Sequence, residues 1–148
     1  MGRQRPRSVT NAIRAQAALL VASGATTLLT IVQRDDLISS WAARHSPGTE
    51  APAFVPVAIV SFVTYALLAW MLVVFFRDGH PSARLSLTGL AAFFLFTMVV
   101  VYRIHPPVEF LVLAALSAVL DLVVVYFLWH RDTSEFLSGV ELADELDG

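Results

Sequence analysis

The stretch Val108–Trp129, VEFLVLAALSAVLDLVVVYFLW, decides the fold, because it is long and apolar enough to cross a bilayer. It carries one carboxylate, Asp121, well inside its length. A charged side chain at that depth is costly in lipid, so its presence needs an explanation. The sequence therefore predicts a transmembrane helix that turns Asp121 towards other helices.

The two faces of this helix differ in side-chain size. Helical spacing places the small residues Ala114, Ser117 and Ala118 beside Asp121. Large residues lie on the opposite face, and these are Val112, Leu116, Val119, Val123 and Tyr126. Small residues let another helix backbone approach closely, whereas large apolar residues suit lipid. We therefore expect the Asp121 face to be buried in a helix bundle.

The composition of the 148 residues is typical of a membrane protein. Hydrophobic residues make up 57% and charged residues 15%, with a mean hydropathy of +0.69, whereas soluble domains are about 45–50% apolar and about 25% charged. Cysteine is absent, which excludes disulfide exchange, thiolate nucleophiles and cysteine-ligated metals. The net charge of −2 provides no basic field, so we expect no nucleic-acid partner.

Three further apolar runs precede Val108–Trp129 in the chain. The predicted fold class is therefore all-α, with four transmembrane helices in an antiparallel bundle. The transmembrane domain is expected over residues 15–129, with spans at 15–32, 53–76, 85–102 and 108–129. Spans of these lengths cover about 27–36 Å, against a hydrocarbon core of about 30 Å. The short turn Arg103–Pro107 makes the last two spans antiparallel neighbours.

The segments that flank the spans predict the orientation. A basic N-terminus, 1–14, precedes the bundle and an acidic tail, 130–148, follows it. With both termini inside, the inner arginines are Arg3, Arg5, Arg7, Arg14, Arg77, Arg84 and Arg131, and the outer ones are Arg34, Arg44 and Arg103. The positive-inside rule therefore places both termini in the cytoplasm. Arginine without lysine, among many Ala, Val and Leu residues, indicates a GC-rich bacterial genome and hence the bacterial cytoplasmic (inner) membrane.

The loop 33–51 allows two interpretations. It either forms a short helix in the membrane interface, capped by Asp35 or Asp36, or it is irregular. The apolar residues that would share one side of such a helix are Leu37, Ile38 and Trp41.

The acidic tail also has two interpretations. Phe136, Val140 and Ala143 lie at helical spacing, which allows a short surface helix. A solvated, frayed tail is the interpretation that we favour, because chain ends rich in like charges have little to pack against.

Asp121 is the main candidate for a functional group. Matching depths on antiparallel neighbours place Ser23, Tyr65 and Thr88 near it, in addition to Ser117 on its own helix. This intramembrane polar site is a proton or cation site, an anchor for a basic residue of another subunit, or a hydrogen-bonded junction between helices. We favour the junction, because a single acidic residue without a second charge in the spans makes a poor proton relay.

Two ion pairs are candidates near the ends of the spans. Arg103 and Glu109 flank the same short turn, and a pair there is worth about 0–1 kcal/mol. Arg14 belongs to the same half of the bundle as Asp121, but it leans towards its own helix N-terminus, which disfavours their pairing.

The sequence contains no recognisable catalytic or metal-binding constellation. The histidines lie in loops or at span ends, two on each side, and they are His45, His80, His105 and His130. A metal needs three or four convergent ligands, so we expect no metal, no cofactor and no catalytic residue.

Two stretches resemble a known group of proteins. SVTNAIRAQAALL, at 8–20, and WHRDTSEFL, at 129–137, are similar to the uncharacterised small four-span membrane proteins of actinobacteria. The resemblance covers layout and composition and implies a membrane bundle without a defined activity. Small multidrug transporters carry a Glu in the first span and fluoride channels a glycine-rich arginine motif, and this sequence has neither.

The predicted function is therefore non-enzymatic. We expect an accessory or scaffold subunit of a membrane complex, whose partners are the lipid bilayer and other membrane subunits or further copies of the chain. The alternative is a homo-oligomeric small-solute or proton-coupled transporter or channel that uses Asp121. A lipid-modifying enzyme is a third hypothesis.

Overall fold

The computed structural model describes residues 6–103, 105–135, 137 and 138, and over these residues the chain is helical and has no strand. Five helices follow in order: α1 (Arg7–Val32), α2 (Arg34–Ala42), α3 (Phe54–Arg77), α4 (Pro81–Arg103) and α5 (Val108–Leu128). The helices α1, α3, α4 and α5 are long and apolar enough to cross a membrane. The prediction of an all-α chain with four candidate membrane spans is therefore confirmed.

Prolines mark the start of three long helices. Pro6 and Pro107 directly precede α1 and α5, and Pro81 is the first residue of α4. Proline is tolerated there because N–H groups of the first turn have no acceptor within the helix. Gly79 has a φ of 89° in the turn before α4, a conformation that favours glycine. These residues set where the chain leaves one helix and begins the next.

Helix α2 occupies the first half of the loop 33–51, so the interpretation as a helix is correct for this part. The predicted caps are wrong, because Gln33 is the N-cap residue and Asp35 and Asp36 lie within the first turn. Acidic side chains in a first turn still interact favourably with the helix dipole.

The predicted apolar side of α2 is only partly buried. Leu37 is buried, whereas Ile38 is 45% exposed. Trp41 stacks on His45 with ring centroids 3.6 Å apart and meets Phe54 edge to face. The short helix is thus attached through Leu37 and Trp41 to the ends of the longer helices.

The long helices form a ring in the order α1, α3, α4, α5, since the backbone of each comes close to those of its two ring neighbours, and among the described residues the backbones of helices across the ring do not approach one another. Thr133, just after α5, contacts Ser8 at the start of α1. At the other end, Arg44 Nη1 donates to the carbonyl oxygen of His105, 3.0 Å away. We call the half of the bundle that contains Ser8 and Thr133 the terminal half, and the half next to α2 the α2 half.

The tightly packed core lies in the terminal half. Its buried hydrophobic residues are Val9, Ala12, Ala15, Phe76, Ala83, Leu87, Val124, Leu128 and Leu137. Many large apolar side chains elsewhere on the helices are exposed, among them Val21, Trp70 and Leu85. A large exposed apolar surface is expected where lipid, not water, surrounds the helices.

The chain after α5 packs back against α1. Residues 131–135 are helical, Thr133 is fully buried and Leu137 is 3% exposed. The Thr133 hydroxyl lies 2.9 Å from both Ser8 Oγ and the Phe127 carbonyl oxygen. The favoured interpretation as a solvated tail is therefore wrong for this first part. The predicted surface helix through Phe136, Val140 and Ala143 lies outside the described residues.

Candidate functional site

Helix α5 turns two polar residues of its middle part inward. Asp121 and Ser117 lie one turn apart and are each 1% exposed, as the pattern of small residues predicted. Of the predicted lipid face, the residues at least half exposed are Val112, Leu116, Val119 and Tyr126. Val123 differs from the prediction, because it packs partly against the core. The acidic group therefore faces protein on all sides.

Each of these two side chains has a buried atom without a hydrogen-bond partner. Among the described residues, nothing bonds Asp121 Oδ2 or Ser117 Oγ. Leaving such an atom unsatisfied costs about 1–3 kcal/mol, and more for a charged group. Buried unsatisfied groups are rare in folded proteins, and each needs an explanation, such as a chemical role, local strain or a bound water or ion. Asp121 is therefore the leading candidate for a functional group.

Gln16 of α1 lies at the same level of the bundle, and sequence reasoning missed it. Gln16 is 5% exposed, and its Nε2 donates to Tyr65 Oη of α3 over 2.8 Å. Gln16 also lines a small void with Val124, which lies three residues after Asp121 on α5. We call Gln16, Tyr65, Ser117 and Asp121 the polar layer.

A signal for Gln16 was present in the sequence, because it is the one amide side chain within the predicted spans. An amide in lipid must find a partner in another helix. Which helix supplies that partner depends on the order of the helices around the ring, which local patterns do not contain.

The other predicted partners of Asp121 are placed differently. Thr88 Oγ1 donates to the Arg84 carbonyl oxygen at 2.9 Å and accepts from Trp129 Nε1 at 3.0 Å. The one hydroxyl proton of Thr88 is thus donated within its own helix and not to Asp121. Ser23 lines a cavity nearer the α2 half.

The candidate ion pairs and histidines do not join the polar layer. Ion pairs of the described residues are Arg34–Asp35, His130–Asp132 and Arg131–Glu135, and they do not include Arg103–Glu109 or Arg14–Asp121. Arg14 is exposed, whereas Asp121 is buried. In the described part of the chain, no group of three or more His, Asp or Glu side chains could hold a metal ion.

A cavity of about 430 Å³ lies between the helices in the α2 half. Tyr65 lines it and also belongs to the polar layer, so the two features meet at this residue. Leu37 of α2 lies at the opposite end of the lining. Aromatic rings form much of the wall, namely Phe54, Phe62, Phe93, Phe94 and Phe110.

The threonines of the cavity wall use their hydroxyl protons within their own helices. Thr26, Thr27, Thr30 and Thr97 each donate to the carbonyl oxygen four residues earlier, over 2.9–3.1 Å. The wall therefore offers few free donors. Such a cavity suits an apolar body with one polar end directed at Tyr65.

No protein-family model matches the chain, and no curated protein or solved structure matches it significantly. The polar layer and the cavity of the α2 half are therefore the features of the molecule that bear on its function. Together they give an apolar wall, a tyrosine that joins this wall to the polar layer, and a buried carboxyl group on α5.

Proposed function

We propose that the protein spans the bacterial inner membrane and binds a small, largely apolar molecule in the cavity of its α2 half. The cavity carries this proposal. Its volume of about 430 Å³ lies in the range of small-molecule sites, about 300–1,000 Å³. Such sites combine apolar and aromatic walls with a few placed polar groups, and Tyr65 is the placed group here.

The proposed topology is an antiparallel bundle with both termini in the cytoplasm. Two contacts support it: Ser8 lies against Thr133 at one end, and Arg44 reaches the carbonyl oxygen of His105 at the other. The distribution of arginines supports the cytoplasmic side for the termini. With this orientation the cavity belongs to the outer half of the membrane.

The binding function fits an accessory subunit of a membrane complex. The exposed apolar faces of the helices can meet lipid, another membrane subunit or a second copy of the chain. Purification from native membranes in mild detergent tests this role, because a stoichiometric partner should remain bound. A chain that is recovered alone, as a monomer, would contradict it.

Filling the cavity should weaken ligand binding. Ala58 lines the cavity, so Ala58→Phe places a ring in the space that the ligand needs. We expect an apolar fluorophore, N-phenyl-1-naphthylamine, to bind the wild-type protein in nanodiscs and to lose at least about tenfold in affinity on this variant, as expected for a loss of about 1.4 kcal/mol.

The control for this experiment is Val60→Phe. Val60 lies on the same helix, is 64% exposed and does not line the cavity. This variant should bind the fluorophore like the wild type. Equal binding by Ala58→Phe and Val60→Phe would show that the fluorophore sits in lipid or on the surface, which would contradict the proposed site.

Proton-coupled transport is the second candidate function, and it is favoured by Asp121 Oδ2, which has no hydrogen-bond partner in the described part of the chain. Under this hypothesis Asp121→Asn should abolish proton flux into proteoliposomes, read by an enclosed pH-sensitive dye, while the protein still elutes as the wild type does. Glu109→Gln is the matched control, since Glu109 is an exposed acid at the other end of α5. Wild-type flux no greater than that of empty liposomes would reject transport and leave the binding proposal intact.

A further inference from the structure

Arg84 and Trp129 form a clasp between α4 and α5 at the terminal half. The Arg84 guanidinium carbon lies 3.9 Å from the centroid of the Trp129 ring, which is a cation–π contact. Trp129 Nε1 donates to Thr88 Oγ1 at 3.0 Å, and Thr88 in turn donates to the Arg84 carbonyl oxygen at 2.9 Å. These contacts fix the indole against α4, with the guanidinium over its ring.

The charge of Arg84 is not matched by a carboxylate in the described part of the chain. Arg84 appears in none of the ion pairs there, and its Nε is buried without a hydrogen-bond partner. At the same end of the bundle, Glu135 is paired with Arg131, and Asp132 Oδ2 lies 3.6 Å from His130 Nδ1. A guanidinium has five N–H donors, and stacking on a ring satisfies none of them.

The clasp lies at the end of the spans, where lipid headgroups meet the protein. Arg84 is in the first turn of α4, and Trp129 directly follows α5. Tryptophan and arginine favour this level of a membrane. Beside the clasp, Leu85 and Tyr126 are 70% and 63% exposed, so acyl chains can cover them.

We propose that the clasp binds the phosphate of an anionic phospholipid. The planar guanidinium matches phosphate with two parallel hydrogen bonds, which lysine cannot make. The lipid chains lie along the exposed apolar surface next to Arg84. An anionic headgroup is preferred to a zwitterionic one, because it brings no second cation to a site that already holds an arginine.

The fluorescence of Trp129 can be used to measure lipid binding at the clasp. Trp41→Phe with Trp70→Phe leaves it as the sole tryptophan of the three in the chain. In nanodiscs of unlabelled phosphatidylcholine, we expect a small fraction of bromo-acyl phosphatidylglycerol to quench Trp129 fluorescence more than the same fraction of bromo-acyl phosphatidylcholine. A preference of about tenfold corresponds to one charge-assisted contact.

Arg84→Gln should remove this preference, whereas Arg77→Gln should keep it. Arg77 is an exposed arginine at the same end of the bundle and serves as the matched control. Arg84→Lys keeps the charge but not the planar guanidinium, so it should retain only part of the preference for phosphatidylglycerol. This variant provides the test if Arg84→Gln does not fold.

Three results would overturn the proposal. One is equal quenching of the wild-type protein by the two brominated lipids, and another is a preference that survives Arg84→Gln in folded protein. The third is loss of the preference on addition of inorganic phosphate at the concentration of the lipid, since the site would then bind free phosphate and not a lipid.

Discussion

Asp121 and Thr133 are both buried polar residues, but their surroundings differ. The Thr133 hydroxyl lies within hydrogen-bond distance of two oxygens, whereas Asp121 Oδ2 has no partner among the described residues. A satisfied group adds to stability and an unsatisfied one lowers it. Thr133 therefore stabilises the fold. Burial of Asp121 lowers stability, so this residue is the candidate for a functional role.

Thr133→Val should destabilise the protein, because valine keeps the shape but removes the hydroxyl from Ser8 and the Phe127 carbonyl oxygen. We expect a loss of about 1–3 kcal/mol, measured by thermal unfolding in detergent. Thr97→Val is the control, since the Thr97 hydroxyl bonds only its own helix and the residue is exposed. Equal destabilisation by both variants would show that the contact with Ser8 contributes nothing.

Individual residues were predictable from sequence when the reason was local. The burial of Asp121 followed from the small residues one turn away on its own helix. The roles of Gln16 and Thr133 did not follow, because their partners, Tyr65 and Ser8, lie 49 and 125 residues away in the chain. Such contacts depend on helix order and rotation, which local periodicity does not encode.

At the level of helices, α2 covers one end of the cavity. Leu37 is the buried residue of α2 and lines the cavity, whereas its neighbour Ile38 is largely outside. The sequence allowed α2 but did not decide between helix and irregular loop, since a helix this short depends on tertiary packing. The four long helices were predictable, because each is a long apolar run.

Leu37→Ala should let a bound ligand leave faster, since α2 loses its buried anchor. If about 1.4 kcal/mol of packing is lost, the dissociation rate of the fluorophore should rise by up to about tenfold. Stopped-flow dilution of preloaded protein measures this rate. Ile38→Ala is the matched control, and a similar rise in both variants would mean that α2 does not cover the ligand.

Over the whole molecule, packing differs between the two halves. The terminal half holds the continuous apolar core, and the α2 half holds the cavity. The number of spans was predictable from hydropathy, but this difference was not, because cavities arise from how four helices fit together. The proposed topology makes the packed half face the cytoplasm.

Because the chain has no cysteine, single introduced cysteines can test this topology. We expect a membrane-impermeant maleimide to label Ser46→Cys in intact cells and Ser138→Cys only after lysis. Both positions are exposed. The cysteine-free wild type gives the background, and the reverse labelling pattern would contradict cytoplasmic termini.

The cavity also makes the molecule unevenly compressible. Hydrostatic pressure favours states of smaller volume, and its effect scales with the internal void that a change eliminates. In this bundle the cavity of the α2 half is much larger than the small void beside Gln16. Compression should therefore draw α1, α3 and α4 together around Phe62 and leave the contacts of Val9 and Leu128 unchanged. Pressure would thus change the α2 half and not the terminal half.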